Sequence, residues 1–463
     1  MLLIGYFVFL CRSSLTVHFA PDDPMNMAAA FRIPPWELAL SPLILWKPLY
    51  RPLAGWLFVP LLRLFGLNPL PFHAVMLALV LVNVFLVYRS AKLLGACERA
   101  AWTVALIFCY HAGLKDLYYN TAFIYDALCG SLYLGALLYY VSTRRRGVLT
   151  WYQTVLFLGL QLLALSAKEM ALTLPAALLA YELIYEKPVN WYPRRLAVWI
   201  RGPGCCILAG GIVDLVYLRG RLFGDGGLGR SAAYRPALSL ERALDFWIRA
   251  FGDLFEEWQG IRLTEVIVIW AALFYLAWRR PRPVLRFAFL FLLLTPAPIE
   301  FLTGRAGACL YIPMFGWAVF LSTVFIDLAD ALANLLSREP LLRLLQPRYL
   351  SVPLMAAGLF FWVHQNLEFK RSFIDPTTAN LAPKTWKAIQ QMKELNPHVG
   401  HHRTVVFLND PFGTYDMSFI AELFFRDPTV TIRLNSQTPL APEEVASAAL
   451  VFDYKDGNLV QLR

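Results

Sequence analysis

The chain has 463 residues, of which 58% are hydrophobic and 16% are charged, whereas a soluble domain carries about 25% charged residues. A mean hydropathy of +0.51 and an aromatic content of 15% exclude an ordinary water-soluble fold, and they favour a membrane protein, which presents apolar surface to lipid. The net charge of +10 lies in short basic clusters between apolar runs. That pattern orients membrane spans, so we expect no nucleic-acid partner.

Eleven apolar stretches predict an α-helical polytopic membrane protein with about eleven transmembrane helices. A crossing helix needs about 20 apolar residues, and fewer where flanking side chains reach the headgroups. The first stretch ends near Arg12 and shows neither a basic start nor a small-residue cleavage site, so we expect an anchored helix rather than a cleaved signal peptide. The stretches lie near residues 1–19, 72–88, 101–114, 123–142, 151–166, 170–186, 202–218, 263–278, 284–298, 310–327 and 350–364.

Basic residues fill all five even-numbered linkers between these helices, for example Arg144, Arg145 and Arg146 in the fourth. Short basic linkers stay in the cytoplasm, so the odd-numbered linkers face outward. This alternation predicts an integral protein of the bacterial inner membrane whose chain after residue 365 is also extracytoplasmic. The odd-numbered linkers are 20–71, 115–122, 166–169, 219–262 and 299–309.

Two domains are expected: a transmembrane domain at 1–365, with extracytoplasmic loops 20–71 and 219–262, and a small soluble α/β domain at 370–463. Within the first loop, Trp36 to Phe65 suits helices lying in the membrane interface, although an ordinary loop packed on the bundle is the alternative. The C-terminal domain is predicted to contain helices at 383–395 and 414–426, strands at 405–408 and 430–434, and a hairpin of 449–454 with 459–462.

The stretch Phe19-Ala20-Pro21-Asp22-Asp23-Pro24 follows the first predicted helix. Adjacent carboxylates are costly near lipid, and sugar transfer to a hydroxyl or amine needs a general base that a carboxylate supplies. Because adjacent side chains diverge, one of Asp22 and Asp23 would face an acceptor, and the other would hold a metal or a hydrogen-bond partner. The alternative is a helix N-cap, in which a carboxylate binds free backbone N–H groups.

Three further sets are candidates for binding a phosphate or a sugar. Lys168, beside Glu169, could meet a phosphate as a point charge, or the two could neutralise each other. Arg305, ahead of Tyr311, could grip a phosphate, or both could anchor a helix end. Tyr125 and Asp126, with Tyr118, Tyr119 and Asn120, could stack on and hydrogen-bond a sugar, or form an aromatic belt with one polar partner.

The sequence gives little support for a metal site, a nucleotide-binding site or a hydrolase motif. None of the seven cysteines shows metal-ligand spacing with histidine, and His398, His401 and His402 lack carboxylate or cysteine company. No P-loop, GxGxxG, GxSxG or HExxH motif occurs. We therefore expect no metal site and no certain cofactor, and leave a divalent cation open.

Several motifs, in this order and on the outward side, resemble the GT-C superfamily of polytopic glycosyltransferases over about residues 15–320. The similarity is greatest to the bacterial relatives of the protein O-mannosyltransferases that carry TPR repeats. The motifs are the double acid, Tyr50-Arg51-Pro52-Leu53, Leu64-Phe65-Gly66-Leu67-Asn68-Pro69 with Phe72-His73, Ser166-Ala167-Lys168-Glu169-Met170 and Leu310-Tyr311-Ile312-Pro313.

The resemblance implies an inverting, mannosyltransferase-like transfer from a polyprenyl-phosphate-linked sugar to an extracytoplasmic glycan, lipid or protein. It implies that Asp22 or Asp23 acts as base or orients the acceptor, and that Lys168, Arg305 and Arg51 bind the donor phosphate. By analogy, Glu169 would orient Lys168. Tyr125, Asp126 and Tyr311 complete the expected substrate-binding set.

Two departures from the family pattern bear on these expectations. The usual Arg-Tyr-Leu-Tyr-Leu-Pro is here Arg305-Ala306-Gly307-Ala308-Cys309-Leu310-Tyr311-Ile312-Pro313, and the α/β domain stands where TPR repeats would follow. Two other functions are weighed against the enzyme. A transporter or flippase of a lipid-linked intermediate would place ionisable groups along a path through the membrane, and a scaffold would display the C-terminal domain to a partner.

Overall fold

We describe the protein from a computed structural model. It describes residues 2–45, 47, 49–186, 193–223, 235–255, 260–302, 304–305, 307–337, 347–379 and 383–463. Ala306, named in the sequence analysis, lies outside these ranges, as do residue 303 of the predicted linker 299–309 and residues 224–234 and 256–259 of the predicted loop 219–262.

The first part of the chain contains six helices of 4 to 12 residues and two long apolar helices, α5 and α8. The helices are α1 (Leu2–Cys11), α2 (Asp22–Phe31), α3 (Pro35–Leu40), α4 (Gly55–Phe65), α5 (Pro69–Leu93), α6 (Glu98–Cys109), α7 (Asp116–Tyr119) and α8 (Ile124–Arg144).

The second part of the bundle is also helical, and several of its helices begin at proline, which suits the first turn because that position needs no N–H donor. The helices are α9 (Trp151–Ala167), α10 (Leu174–Tyr181), α11 (Pro193–Arg201), α12 (Pro203–Phe223), α13 (Leu240–Leu254), α14 (Leu263–Arg279), α15 (Pro283–Leu294), α16 (Ala297–Glu300), α17 (Tyr311–Leu336) and α18 (Pro347–Phe369).

Each of the eleven predicted apolar stretches overlaps one of these helices. Within the described ranges, five helical segments are long and apolar enough to cross a membrane, so the chain is a polytopic membrane protein. The total of eleven spans stays a prediction. The five segments are Pro69–Leu93, Thr121–Arg144, Pro203–Arg221, Pro283–Glu300 and Gly307–Leu336.

Close packing at the centre of the bundle depends on one glycine. α5 packs on α6 and α8, and α17 packs on α6, α15 and α18. On α8, Gly130 lies under the Tyr311 ring, where a Cβ atom would be 2.9 Å from Cε1 of that ring. Asn83 of α5 donates a 2.8 Å hydrogen bond to the Ala127 carbonyl on α8. This contact region fixes α8 and α17, whose N-terminal ends border the site described below.

Helices α3 and α4 carry large apolar side chains on their outer surface. Trp36, Leu40 and Trp56 are exposed, whereas α4 buries Phe58 and Leu62 against the bundle. A short helix with one apolar face against protein and aromatic residues on the other suits the membrane interface. The interfacial position predicted for this segment remains a prediction.

The C-terminal domain is a four-stranded sheet with helices. Its helices are α19 (Asp375–Ala379), α20 (Pro383–Leu395), α21 (Asp416–Phe425) and α22 (Pro442–Ser447), and its strands are β1 (Thr404–Phe407), β2 (Thr431–Leu434), β3 (Leu450–Lys455) and β4 (Asn458–Gln461). The strand order is β2-β1-β3-β4, with β1 parallel to both neighbours and β3 antiparallel to β4. Every predicted element of this domain is present within about two residues, and α19 and α22 are additional.

The β3–β4 hairpin closes through two residues. Lys455 pairs with Asn458, and the intervening Asp456 and Gly457 have φ of 46° and 79°. Positive φ at both central positions defines a turn that matches strand twist, and Asp-Gly is among the sequences that adopt it at least cost.

The C-terminal domain docks on the extramembrane side of the bundle through polar contacts. Arg32, at the end of α2, donates to Glu422 of α21 with Nε–Oε1 of 2.8 Å and Nη2–Oε2 of 2.5 Å. Arg426 donates to the Arg63 carbonyl at the end of α4, and its guanidinium crosses Gly66, where a Cβ would lie 2.6 Å from Nη2. The His18 and Trp386 rings stack at 4.1 Å.

We predict that Glu422→Gln loosens this docking, because the bidentate carboxylate is lost and the Arg32 guanidinium keeps only one acceptor. Limited proteolysis in detergent should cleave between α18 and α20 faster in this variant than in the wild type. Glu443→Gln, which changes an exposed carboxylate on α22, is the matched control. Equal cleavage rates in the two variants would contradict the proposed contribution of this pair.

Candidate functional site

All five odd-numbered linkers meet at one cavity of about 470 Å³, here called the central cavity. Ligand sites commonly have volumes of this order. The convergence means that these linkers lie at the same end of the bundle, as the alternating topology requires. One lining residue from each linker is, in chain order, Asp22, Ala122, Lys168, Leu238 and Arg305.

The wall of the central cavity is unusually rich in charge for a membrane protein. Four cationic and three anionic side chains line it, alongside Tyr50, Tyr125 and Tyr217. Charges are expensive near lipid unless they are paired or functional. The charged residues are Arg51, Lys168, Arg221 and Arg305, and Asp22, Asp126 and Glu169.

Lys168 and Asp126 form a buried ion pair. Lys168 Nζ lies 2.5 Å from Asp126 Oδ1, and the two side chains are 4% and 3% exposed. Cys309 Sγ is 3.3 Å from the same ammonium. The carboxylate that orients Lys168 is therefore Asp126, in the first turn of α8, and not the sequence neighbour Glu169.

Glu169 is held between two arginines from different linkers. Arg51 Nη2 lies 3.0 Å from its Oε2, and Arg221 Nη2 lies 3.3 Å from its Oε1. Burial opposes ionisation, but Arg51 and Arg221 outweigh it and lower the pKa of Glu169 to about 2. Because folding lowers the pKa of Glu169, this pairing stabilises the folded state at every pH above the pKa that Glu169 has in the unfolded chain. The stabilisation is lost only as the pH falls toward 2, so the cluster stays ionised near neutrality.

Arg51 occupies a strained backbone position. Its φ of 44° is left-handed, a region that non-glycine residues seldom adopt, and it precedes the short helical turn Pro52–Ala54. Its guanidinium carbon lies 4.9 Å from the Tyr50 ring centroid and 5.3 Å from that of Tyr125. Two aromatic rings and Glu169 therefore orient this guanidinium at the cavity wall.

The two adjacent aspartates have different surroundings. Asp22 is exposed, begins α2 and lines the central cavity. Asp23 is fully buried: its Oδ2 accepts from Ala20 N at 2.7 Å, and its Oδ1 accepts from Thr121 Oγ1 at 2.8 Å and Ala122 N at 2.5 Å. Side chains of adjacent residues thus diverge, as expected, and Asp23 joins the first linker to the second.

Burial raises the pKa of Asp23 to about 7, although its three hydrogen bonds lower it. Such a pKa would suit a general base, but a base must also reach the proton that it removes. Both oxygens of Asp23 are occupied and its side chain is not among those lining the central cavity. Of the pair, Asp22 has the access that the chemistry requires.

The remaining predicted residues divide between the cavity and the core. Tyr125 lines the cavity and donates to Asn26 Oδ1 at 3.1 Å, and Arg305 also lines it. Tyr311 lies within the bundle, 1% exposed, with its ring 4.7 Å from that of Phe108. The structure therefore brings together the predicted site residues, with the exception of Asp23, Tyr311 and the set Tyr118, Tyr119 and Asn120, none of which lines the cavity.

The sequence interpretation missed Arg221, Tyr217 and Asn26. Arg221 is four residues beyond Tyr217 on α12, and its Nε lies 3.1 Å from the Tyr217 hydroxyl. Asn26, one turn after Asp22, donates to the Asp22 carbonyl at 2.8 Å. An arginine at the outward end of an apolar helix was the available signal for Arg221.

No group of three or more His, Cys, Asp or Glu side chains in the described part of the chain is arranged to hold a metal ion. In the central cavity, two of the three carboxylates are engaged by cations. The involvement of a divalent cation stays untested.

The fold and the charged cavity define a polytopic membrane protein, and the fold resemblance expected from the sequence is confirmed. The chain is similar to the crystal structure of ArnT from Cupriavidus metallidurans bound to undecaprenyl phosphate, with a TM-score of 0.51 and 12% sequence identity. The similarity covers 99% of this chain and 97% of that one. At this identity it concerns the fold alone. No family model and no curated protein sequence matches the chain.

We predict that Asp23→Asn lowers the free energy of unfolding by about 1–3 kcal/mol. Each oxygen of Asp23 accepts from a backbone N–H, so the NH2 group of asparagine would face a donor in either orientation of the amide. Asp22→Asn should leave thermal unfolding in detergent unchanged, since that side chain is exposed. A matched loss of stability in both variants would contradict the different roles assigned to the two carboxylates.

The Asp126–Lys168 pair supplies a second prediction. Asp126→Asn and Lys168→Met should each destabilise the protein by about 3–5 kcal/mol, because each leaves one buried charge without its partner. The double variant should lose much less than the sum of the two, since both charges are gone. Additive losses across this cycle, measured by thermal unfolding, would show that the pair does not couple.

Proposed function

We propose that this protein is an inverting glycosyltransferase that moves a sugar from a polyprenyl-phosphate donor to an extracytoplasmic acceptor, with Asp22 as the general base. One observation carries the proposal: an accessible carboxylate and four cationic side chains share a cavity built by all five odd-numbered linkers. The ArnT crystal structure, which has a similar fold, is bound to undecaprenyl phosphate, and this supports a lipid-phosphate donor here.

In the proposed reaction, the acceptor oxygen or nitrogen attacks the anomeric carbon of the sugar. The bond from that carbon to the phosphate oxygen breaks, and the oxygen leaves with the bonding electrons. Asp22 takes the proton of the acceptor as the new bond forms. The lipid phosphate gains one unit of negative charge, and attack opposite the leaving group inverts the configuration at the anomeric carbon.

The cationic side chains would stabilise the charge that develops on the leaving phosphate. Arg51 and Arg221 are held by Glu169, and Lys168 is held by Asp126, so these donors need little reorganisation during the reaction. Arg305 stands at the end of the fifth odd-numbered linker, beside the apolar segment from Ala297 to Leu302 that lines the same cavity. An apolar wall next to cations suits a polyprenyl chain joined to phosphate.

The proposed orientation places the central cavity and the C-terminal domain outside the cytoplasm. The basic even-numbered linkers support it, and so does the meeting of the odd-numbered linkers at one end of the bundle. A membrane-bound donor would then enter the cavity from the outer leaflet. The acceptor, whether glycan, lipid or protein, would approach from the exposed side on which Asp22 lies.

A transporter or flippase of a lipid-linked intermediate is the alternative function. That function would place ionisable groups along a path through the bilayer. Asp22, Lys168 and Arg305 instead lie around one cavity, which favours the enzyme. A scaffold that only displays the C-terminal domain would have no use for the charged cavity.

The proposal is tested by assaying purified protein with polyprenyl-phosphate sugars. Asp22→Asn should lower turnover by about 10²–10⁴-fold, the usual contribution of a general base, with no loss of thermal stability. Asp245→Asn, which neutralises an exposed carboxylate on α13, is the matched control and should keep full activity. Full activity of Asp22→Asn would remove the assigned base.

A further inference from the structure

A second cavity, here called the junction cavity, lies where α1, α18 and the C-terminal domain meet. Its volume is about 650 Å³. Arg12 and Ser13 at the end of α1, Lys370 and Arg371 after α18, and Trp386 of α20 all line it. None of these residues was singled out as a site by the sequence, and none belongs to the central cavity.

The junction cavity has an excess of positive charge. Lys370 Nζ is paired with Asp375, the one carboxylate in the lining, and lies 3.3 Å from Ser13 Oγ. The Lys370 side chain is 10% exposed. Among the described residues, no carboxylate lies within ion-pair distance of Arg12 or Arg371. Two guanidinium groups therefore remain to bind an anion.

One side of the junction cavity is apolar and belongs to α1 and α18, which lie in the first and last predicted membrane-spanning stretches. Phe9 and Leu10 of α1 and Leu367 of α18 line it, and half of the Phe9 side chain is exposed. The Arg12 guanidinium carbon lies 5.4 Å from the Phe9 ring centroid. Cations directly beyond apolar helix surfaces are the arrangement that receives a phosphate headgroup while the acyl chains lie along the helices.

The two cavities are close but separate. The segment from Val17 to Asp22 runs from the junction cavity, where Val17 and His18 line the wall, to the central cavity, where Asp22 does. Tyr119 of the second odd-numbered linker contacts the chain just before this segment, since its hydroxyl lies 3.2 Å from Ser13 Oγ.

We propose that the junction cavity binds the phosphate headgroup of an anionic membrane lipid, at a site distinct from the central cavity. The apolar side formed by Phe9 and Leu367 favours a lipid over free phosphate, which would need the guanidinium groups alone. Because the residues involved come from α1, α18 and the segments that follow them, such a lipid would join the first and last membrane helices to the C-terminal domain. The proposal does not rest on the proposed enzymatic function.

The test is native mass spectrometry of the full-length protein, titrated with dioleoylphosphatidylglycerol or dioleoylphosphatidylcholine. The wild type should retain the anionic lipid over the zwitterionic one. Arg12→Gln combined with Arg371→Gln should weaken retention of the anionic lipid roughly tenfold, since two cationic contacts are lost. Arg12→Lys combined with Arg371→Lys should restore most of it.

Arg89→Gln combined with Arg146→Gln is the matched control, because it removes the same charge from two exposed arginines in even-numbered linkers. It should leave retention unchanged, and all variants should unfold at the same temperature. Equal losses in the two Gln pairs would overturn the proposal in favour of a general charge effect. Displacement of the lipid by millimolar inorganic phosphate would overturn it in favour of a free-anion site. Unfolding of the Arg12→Gln, Arg371→Gln variant at a lower temperature, together with no lipid retention by the Arg12→Lys, Arg371→Lys variant, would also contradict the proposal.

Discussion

The cost of holding charge beside a membrane governs the arrangement of the whole site. Each buried ion in the central cavity has a partner from another part of the chain: Lys168 with Asp126 of α8, and Glu169 with Arg51 and Arg221. An unpaired ion in such surroundings would cost several kcal/mol. The pairs therefore join the first, third and fourth odd-numbered linkers to one another and to α8, close to where α8 begins and where α9 and α12 end. The same ion pairs therefore neutralise the buried charges and hold together the segments of the chain that carry them.

Much of the fold could be predicted from the sequence, since apolar runs and basic linkers report directly on membrane spans. The elements of the C-terminal domain were also predictable, because alternating patterns and the Asp456-Gly457 turn are local signals. The same pattern predicts that the odd-numbered linkers face outward, and that orientation stays a prediction. By contrast, the number of helices that cross the bilayer depends on the membrane itself, so hydropathy and packing do not fully determine that number.

The partners within the site could not be predicted, because they are separated by long stretches of chain. Lys168 and Glu169 are neighbours in sequence, yet each pairs with residues from distant parts of the chain. The same holds for Asp22 and Asp23: local sequence predicts that their side chains diverge, but only the fold determines which one Thr121 and Ala122 bind. Tyr311 looked like a binding residue because of its motif, whereas the absence of a side chain at Gly130 leaves room for it in the core.

Helix α2 links two regions that the chain otherwise keeps apart. Asp22 stands at its first turn, facing the central cavity, and Arg32 follows its last turn, bound to Glu422 of the C-terminal domain. Ten helical residues span about 15 Å and behave as a stiff rod over that distance. A shift of the soluble domain would therefore reposition the cavity carboxylate without disturbing the cations, which are anchored to other helices. Under the proposed function, contact of a large acceptor with that domain would reposition Asp22 through geometry alone.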